Sequence, residues 1–394
     1  MENVSFSRGD QALTLKLRGH IDSANAAAVE KAIQDIRAQE PAEQILVDCE
    51  ELEYISSAGL RVILRLKKAA PELKLINVST PVYEIFEMTG FTEMMDISKA
   101  YRVISVDGCE VIGQGANGRV YRIDPDTIVK EYLSPDSLPE IQRERELARA
   151  AFVLGIPTAI PYDVVRIRGG GYGSVFELLN AESFARLLAR GEKPLEELAE
   201  MSVELLKLIH STVVKPDAMP DMKAVALNWV TFLRDYLPAE EAEKLVSLVD
   251  AVPVDNHMLH GDYHIKNVML QNGEALLIDM DTLCHGHPVF ELASMFNAYQ
   301  GFLETDHSMA QRFLGIPYET AEAFWRRSLE LYLPDRSPEE RKAVEEKASI
   351  VGYARIMRRS IRRGGLDTPE GRTVIEHCRS RLLELVPRVD TLLF

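Results

Sequence analysis

The chain has 394 residues, an ordinary globular apolar share of 46%, and a net charge of −16, which together exclude a broad basic face for nucleic acid. The length suits two or three domains, and no apolar run approaches a membrane span. The opening Met-Glu-Asn-Val-Ser-Phe-Ser is no secretory signal, and Cys49, Cys109, Cys284 and Cys378 lie far apart with no C-x-x-C pair, so a cytoplasmic protein with free thiols is expected.

Residues 1–100 alternate strand and helix patterns, which predicts an α/β sheet layer. Residues 13–17 alternate as a half-buried strand. Asp22-Ser23 should cap a helix over 24–37, with Ala28, Val29, Ile33 and Ile36 on its apolar face. A buried strand over 44–49, a helix over 56–68, a strand over 73–78 and a proline-led helix over 81–88 complete the segment. With Gly19-His20-Ile21-Asp22, the strand ending at Asp48 and Ile55-Ser56-Ser57-Ala58-Gly59-Leu60, this segment resembles the STAS domain of bacterial anti-sigma-factor antagonists. In antagonists switched by phosphorylation, the residue before that glycine is the modified Ser or Thr. Here it is Ala58, without a hydroxyl, and Ser57 is expected to serve as the helix cap. The resemblance implies a module that docks a protein partner or regulates, rather than a phosphorylation relay.

Residues 101–180 read as a nucleotide-binding lobe. Ile112-Gly113-Gln114-Gly115-Ala116-Asn117-Gly118-Arg119-Val120-Tyr121 fits G-x-G-x-x-G-x-V. A dinucleotide site would need a helix opening at the glycines. The glycines lead instead into the strand-like 119–123 and the turn Asp124-Pro125-Asp126, so a hairpin over the phosphates fits better. Gly113, Gly115 and Gly118 let backbone N–H groups approach the phosphates, and Ile112 and Val120 are placed to line the adenine. The strand over 127–130 ends in Lys130, a candidate for the α- and β-phosphates. A helix over 138–154 should supply its acidic partner, Glu144 or Glu146. A further strand runs over 172–180.

The densest constellation is His260-Gly261-Asp262-Tyr263-His264-Ile265-Lys266-Asn267, followed by the hairpin turn Asn272-Gly273 and the run Ala275-Leu276-Leu277-Ile278-Asp279. The hairpin should return Asp279 beside Asn267. One carboxylate can orient a hydroxyl, while an amide and a second carboxylate can hold Mg²⁺. H-G-D-x-H-x-x-N followed by I-D resembles the aminoglycoside phosphotransferase and choline kinase group, which shares the protein-kinase fold. The resemblance implies Asp262 as catalytic base, Asn267 and Asp279 as Mg²⁺ ligands, and ATP as donor. It favours Glu144 through Gly155-Ile156-Pro157. It also places hinge backbone at Glu177 to Leu179 against adenine.

Residues 181–394 read as a helical lobe, with helices over 183–189, 194–211, 223–236, 240–249, 302–313, 319–331, 338–363 and 372–386. Within 281–293, His287 and Glu291 replace two aspartates of the family pattern. Glu291 can still accept backbone hydrogen bonds, whereas His287 supplies no fixed charge. His257, His260, His264, His285 and His287 invite a metalloenzyme reading, but the D…N…D set already explains the loop as a Mg²⁺ site, with His260 bracing it. Arg355, Arg358, Arg359 and Arg362 share one helical face, which suits an anionic substrate, the acidic STAS module or, most plainly, solvent. The expected architecture is an α/β STAS module (1–100) followed by a two-lobed α+β protein-kinase-like fold, with a nucleotide-binding lobe (101–180) and a largely helical C-terminal lobe (181–394). The expected activity is ATP- and Mg²⁺-dependent phosphoryl transfer to a hydroxyl of a small-molecule acceptor. A signalling kinase acting on protein and a non-catalytic nucleotide sensor are the alternatives.

Overall fold

The computed structural model describes residues 3–8, 12–42, 44–114, 118–134, 137–215 and 217–394; Gly115 of the glycine motif lies outside them. The chain divides into two compact units, Met1–Ser105 with Val165–Arg168, and Val106–Val164 with Gly169–Phe394.

In the first unit, β1 (Val4–Arg8), β2 (Ala12–Ile21), β3 (Gln44–Ile55), β4 (Lys74–Val78) and β5 (Asp96–Lys99) form a sheet in that spatial order. Only β1–β2 is antiparallel. Helices α1 (Ala26–Gln39), α2 (Ser57–Ala69), α3 (Thr80–Met88) and α4 (Phe91–Met94) make the crossovers. Leu13, Leu15 and Leu17 of β2 meet Ile45 and Val47 of β3 in one buried core. β6 (Arg102–Ile104) pairs in parallel with Val165–Ile167.

Two capping expectations are corrected. Asp22 does not cap α1. Its carboxylate accepts the Ala24 N–H at 2.8 Å, building the turn before a helix that starts at Ala26. Ser56, not Ser57, caps α2, accepting from Ala58 N at 3.2 Å and Gly59 N at 3.5 Å, which leaves Ser57 exposed in the first turn. Ser56 has the extended backbone that a capping residue needs.

The second unit begins with the antiparallel strands β7 (Glu110–Gln114), β8 (Gly118–Asp124) and β9 (Thr127–Tyr132). Helix α5 (Leu138–Val153), strand β10 (Pro161–Ile167), whose last three residues belong to the first unit, and strand β11 (Tyr172–Glu177) come after them. A Cβ on Gly118 would fall 2.1 Å from the Glu131 carbonyl oxygen, so only glycine permits this approach of β8 to β9. The remainder is mainly helical. The short β12 (Glu182–Ser183) opens α6 (Phe184–Ala189), and α7 (Leu195–Ser211), α8 (Met222–Phe232) and α9 (Ala239–Asp250) come next. Four short strands interrupt the helices: β13 (Met258–Leu259), β14 (Val268–Gln271), β15 (Glu274–Leu277) and β16 (Cys284–His285). Then come α10 (Val289–Phe296), α11 (Ser308–Phe313), α12 (Tyr318–Tyr332), α13 (Pro338–Arg362) and α14 (Pro369–Leu385). No helix among the described residues is long and apolar enough to cross a membrane.

The sequence pattern does not foretell α10, which is eight residues long and wholly buried, Glu291 and Ser294 included. α11 starts at Ser308 rather than 302, and α14 at Pro369 rather than 372, capped by Thr368. The long α13 is clamped where side chains are missing. A Cβ on its Gly352 would lie 2.6 Å from Asn297 Oδ1, and one on Gly301 would lie 2.8 Å from Ile356 Cδ1 of α13.

Gly59 sets a similar constraint in the first unit, since a Cβ there would lie 2.6 Å from Ile55 Cγ1 and 2.8 Å from Ile21 Cγ2. Gly59→Ala is expected to destabilise this unit by about 1–3 kcal/mol through overpacking. A chemical denaturation curve whose first transition does not move would refute that constraint.

Candidate active site

Buried β13 delivers the chain into a loop held from several sides. Gly261 has φ +80°, and a Cβ on it would sit 2.4 Å from the Thr282 carbonyl oxygen. The fully buried Glu291 of α10 accepts the N–H groups of His260 at 2.5 Å and Gly261 at 3.1 Å. Burial alone would raise the Glu291 pKa, but His210, then His260 and the Gly261 N–H, hold it below its ordinary value. The longer arm of glutamate therefore reaches the backbone, as the sequence led us to expect. Asp262 N–H donates to His260 Nδ1 at 3.3 Å, so Nε2 carries the proton and donates to the Ile278 carbonyl at 3.2 Å. Tyr263 OH donates to Ser202 O at 2.6 Å, and Ile265 N–H to Tyr299 OH at 2.9 Å.

At the corner of the replaced aspartate, His287 Nδ1 accepts the Val289 N–H at 3.2 Å and its ring meets the edge of Phe394. Asp255 supplies the charge nearby: it acts electrostatically on His287, bonds the His257 ring at 2.5 Å, and offers its carbonyl to His285 Nδ1 at 2.7 Å.

The Asp262 side chain is 42% accessible and stands 3.5 Å from His264 Nε2. Its crowded surroundings would raise its pKa, but His264 and then the Arg355 guanidinium outweigh them and lower it to about 2. Five residues on, Asn267 Nδ2 donates to the Asp262 carbonyl at 3.0 Å, which leaves Oδ1 as an oxygen donor. The β14–β15 hairpin, turned by Asn272 and Gly273 at positive φ, brings Ile278 N–H to Asn267 O at 3.0 Å and Asp279 next to it. Asp279 itself has φ +64°.

Lys130 Nζ lies 2.8 Å from both Asp279 Oδ1 and Glu144 Oε1. Glu144 is 3% exposed and also accepts from Tyr132 OH, whereas Glu146 is exposed on the far side of α5. Burial opposes the charge of Lys130, but the two carboxylates raise its pKa; burial pushes Glu144 up to about 7 against the pull of Lys130. Asp281 is raised too, by burial and then by Asp279. These carboxylates exceed the single lysine, so the cluster has negative charge to spare. Among the described residues no three His, Cys, Asp or Glu side chains converge as a metal site. One amide oxygen, one carboxylate, phosphate oxygens and water suit Mg²⁺, which keeps part of its hydration.

The remaining predicted residues line the small lobe. Gly113 and Gly118 lie on β7 and β8, Val120 is partly buried on β8, and Ile112 is 39% exposed at a bulge in the pairing. Glu177 N–H donates to Ile160 O and Leu178 N–H to Asp126 O, while Leu179 is half-buried beside them.

Sequence reading missed three supports of the site. Ser294 Oγ donates to Gly261 O at 2.9 Å, and Arg355 Nη1 reaches the same carbonyl at 3.1 Å from 94 residues away. Tyr132 sits two residues after Lys130, so strand alternation puts both on one face, a signal present in the sequence.

Glu291→Gln keeps the shape but leaves two buried N–H groups facing a weaker and partly wrong partner. A stability loss of about 1–3 kcal/mol is expected, and an unchanged thermal midpoint would rule it out. Asp262 makes a different, pH-dependent contribution. Its lowered pKa means that stability is present above the ordinary carboxylate value and is lost as pH falls through about 2. The stability difference between the native chain and Asp262→Asn should shrink as pH falls below about pH 4; a difference that grows there on acidification would contradict the assignment.

Comparison with known proteins follows the same division. The model of the phosphotransferase enzyme family (APH) matches residues 108–326, more than half of the chain, and the STAS domain model matches residues 3–103. An anti-sigma factor antagonist, BtrV, of Bordetella bronchiseptica is 33% identical over 101 residues, 25% of this chain and 86% of its own. The anti-sigma-B factor antagonist of Staphylococcus aureus is 26% identical over 105 residues, 26% of this chain and 96% of its own. Among solved structures, apo aminoglycoside phosphotransferase APH(4)-Ia aligns at 14% identity and a TM-score of 0.48, covering 71% of this chain and 94% of that one. The streptomycin–ATP complex of APH(2")-IIa aligns at 17% identity and 0.47, covering 76% and 95%. The chain belongs to the phosphotransferase enzyme family, its kinase-like phosphotransferase domain preceded by an N-terminal STAS domain.

Proposed function

We propose that the phosphotransferase domain moves the γ-phosphoryl group of ATP, with Mg²⁺, to a hydroxyl of a small-molecule acceptor, and that the STAS domain docks a regulatory protein partner. The observation that carries the first part is the continuous link Asp262–Asn267–Asp279–Lys130–Glu144, in which every adjacent pair is joined by a hydrogen bond, an ion pair or the β14–β15 hairpin. Phosphoryl transfer asks the protein mainly to position groups and neutralise charge.

Asp262 is the group that meets the acceptor. A carboxylate with a pKa of about 2 is too weak a base to strip an alcohol at rest. It accepts a hydrogen bond from the hydroxyl, aims the oxygen, and takes the proton late, once attack has made that oxygen acidic. Lys130, fixed by Glu144 and Tyr132, presents its ammonium to the α- and β-phosphates, under backbone N–H groups of the glycine hairpin. Hinge backbone at Glu177 to Leu179 faces the adenine, with Ile112 and Val120 against the ring. Asn267 Oδ1 and the Asp279 carboxylate would hold Mg²⁺, which when bound neutralises the phosphate oxygens. The STAS proposal is supported by the named activity of the anti-sigma factor antagonist relatives. The match of Ala58 to their modified position points to docking without a phosphorylation switch at that residue.

Incubation of the whole chain with γ-labelled ATP, Mg²⁺ and either a metabolite panel or cell extract tests the acceptor class. Label on small molecules supports the proposal, and label confined to protein replaces it with a signalling kinase. Asp262→Asn is expected to keep nucleotide affinity while turnover falls on the order of 10²–10⁴-fold; turnover at the native rate would remove Asp262 from its role.

A further inference from the structure

The C-terminal end of α13 concentrates positive charge in a chain whose net charge is −16. Arg355, Arg358, Arg359, Arg362 and Arg363 fall within nine residues, and among the described residues none of the five pairs with a carboxylate. The contrast with neighbouring segments is clear, since Arg379, Arg381 and Arg388 pair with Glu376 and Glu384. Glu304, on the opposite face of α13, is already taken by Tyr353 OH at 2.9 Å and His377 Nε2 at 2.6 Å. A helix C-terminus favours cations only in its last turn, which does not account for the arginines further back.

Three of these guanidinium groups lie over aromatic rings. Arg355 lies over Trp229 at 5.4 Å, Arg358 over Phe232 at 5.8 Å and Arg359 over Phe302 at 5.2 Å. Stacking fixes the plane of a guanidinium and leaves its N–H edge free for a bidentate anion. Arg358 Nε is buried and has no hydrogen-bond partner. Burial and the charge of Arg362 lower the Arg358 pKa; burial, Arg363 and Arg355 lower that of Arg359. The cluster therefore repels itself, and an anion would relieve that repulsion. It also reaches the reacting loop, because Arg355 Nη1 lies 3.1 Å from the carbonyl of Gly261, the residue before Asp262, and Arg359 stands one helical turn further along the same face.

We propose that Arg358, Arg359 and Arg362 form an acceptor-side subsite for the phosphate or carboxylate of an anionic, hydroxylated acceptor whose hydroxyl is presented to Asp262. This rests on the phosphoryl-transfer reading and narrows it. A polycationic or quaternary-amine acceptor would meet uncompensated like charge beside the base, so the domain selects against such compounds. Arg355 is a positioning residue, since its Nη1 is committed to Gly261 O and Ser294 Oγ at 3.1 Å each.

The test is calorimetric titration of the full chain, loaded with a non-hydrolysable ATP analogue and Mg²⁺. The probes are glucose 6-phosphate, glycerol 3-phosphate and gluconate as anions, and glucosamine and choline as cations. At least one phosphate or carboxylate probe should bind while the cations do not. Arg359→Gln with Arg362→Gln should weaken that binding by about tenfold or more, with nucleotide affinity and thermal midpoint unchanged, and lysine at both positions should restore part of it. Tighter binding of a cation, no binding of any anion, or anion binding indifferent to the double substitution overturns the subsite. ADP release from ATP is read separately. Turnover with a cationic acceptor alone refutes the charge preference and leaves phosphoryl transfer standing; anion binding at these arginines without ADP from any acceptor refutes phosphoryl transfer and leaves the anion subsite standing.

Discussion

One ammonium group divided between two carboxylates governs the architecture of the phosphotransferase domain. Lys130 comes from a strand, Glu144 from the helix after it, and Asp279 from the far end of a hairpin more than a hundred residues on. Glu144 is almost wholly enclosed, and an enclosed carboxylate without its cation is expensive enough that the strand, helix and hairpin must be placed together. Burial draws Glu144 toward the neutral form, while two carboxylates keep Lys130 protonated. The lysine's direction governs, because its two partners lie at hydrogen-bond distance from the same nitrogen. The arrangement still carries surplus negative charge through Asp281 beside Asp279, which is the electrostatic reason for reading it as a place for a divalent cation.

A second constraint acts on the loop that carries Asp262. Backbone N–H groups are expensive to bury unpaired, and Glu291 removes that cost for two consecutive residues while Ser294 and Arg355 take the carbonyl of Gly261. The loop is thereby specified by groups from α10 and α13 rather than by its own propensity. Its histidines serve this bracing in two ways: His260 fixes the backbone through a defined tautomer, and His264 tunes the neighbouring carboxylate.

The parts readable from the sequence are those with local signatures. Alternation and turn chemistry gave away β2, β9 and the Asn272-Gly273 hairpin, and the motif order placed Asp262, Asn267 and Asp279 on one connected stretch. The elements that escaped did so for physical reasons. α10 is short and buried all round, and its polar Glu291 and Ser294 face the loop backbone rather than solvent. The choice between Ser56 and Ser57 as cap depended on a single backbone dihedral that neighbouring residue types do not determine. Arg355 could be seen as one member of a basic stripe, but its bond to Gly261 is a long-range contact that no local pattern encodes. The domain boundaries and the roles of individual site residues are likewise matters of chemistry beyond pattern.

The clearances at Gly352 and Gly301 bear on how α13 does its work. Asn297 and Ile356 occupy the space where methyl groups would stand, so α13 packs backbone-close against the 297–301 segment. The backbone that carries its arginines is held by packing, and adjustment to a visitor is left to the side chains. Under the proposed acceptor subsite, the two glycines, which touch no ligand, would become silent determinants of where its guanidinium groups stand.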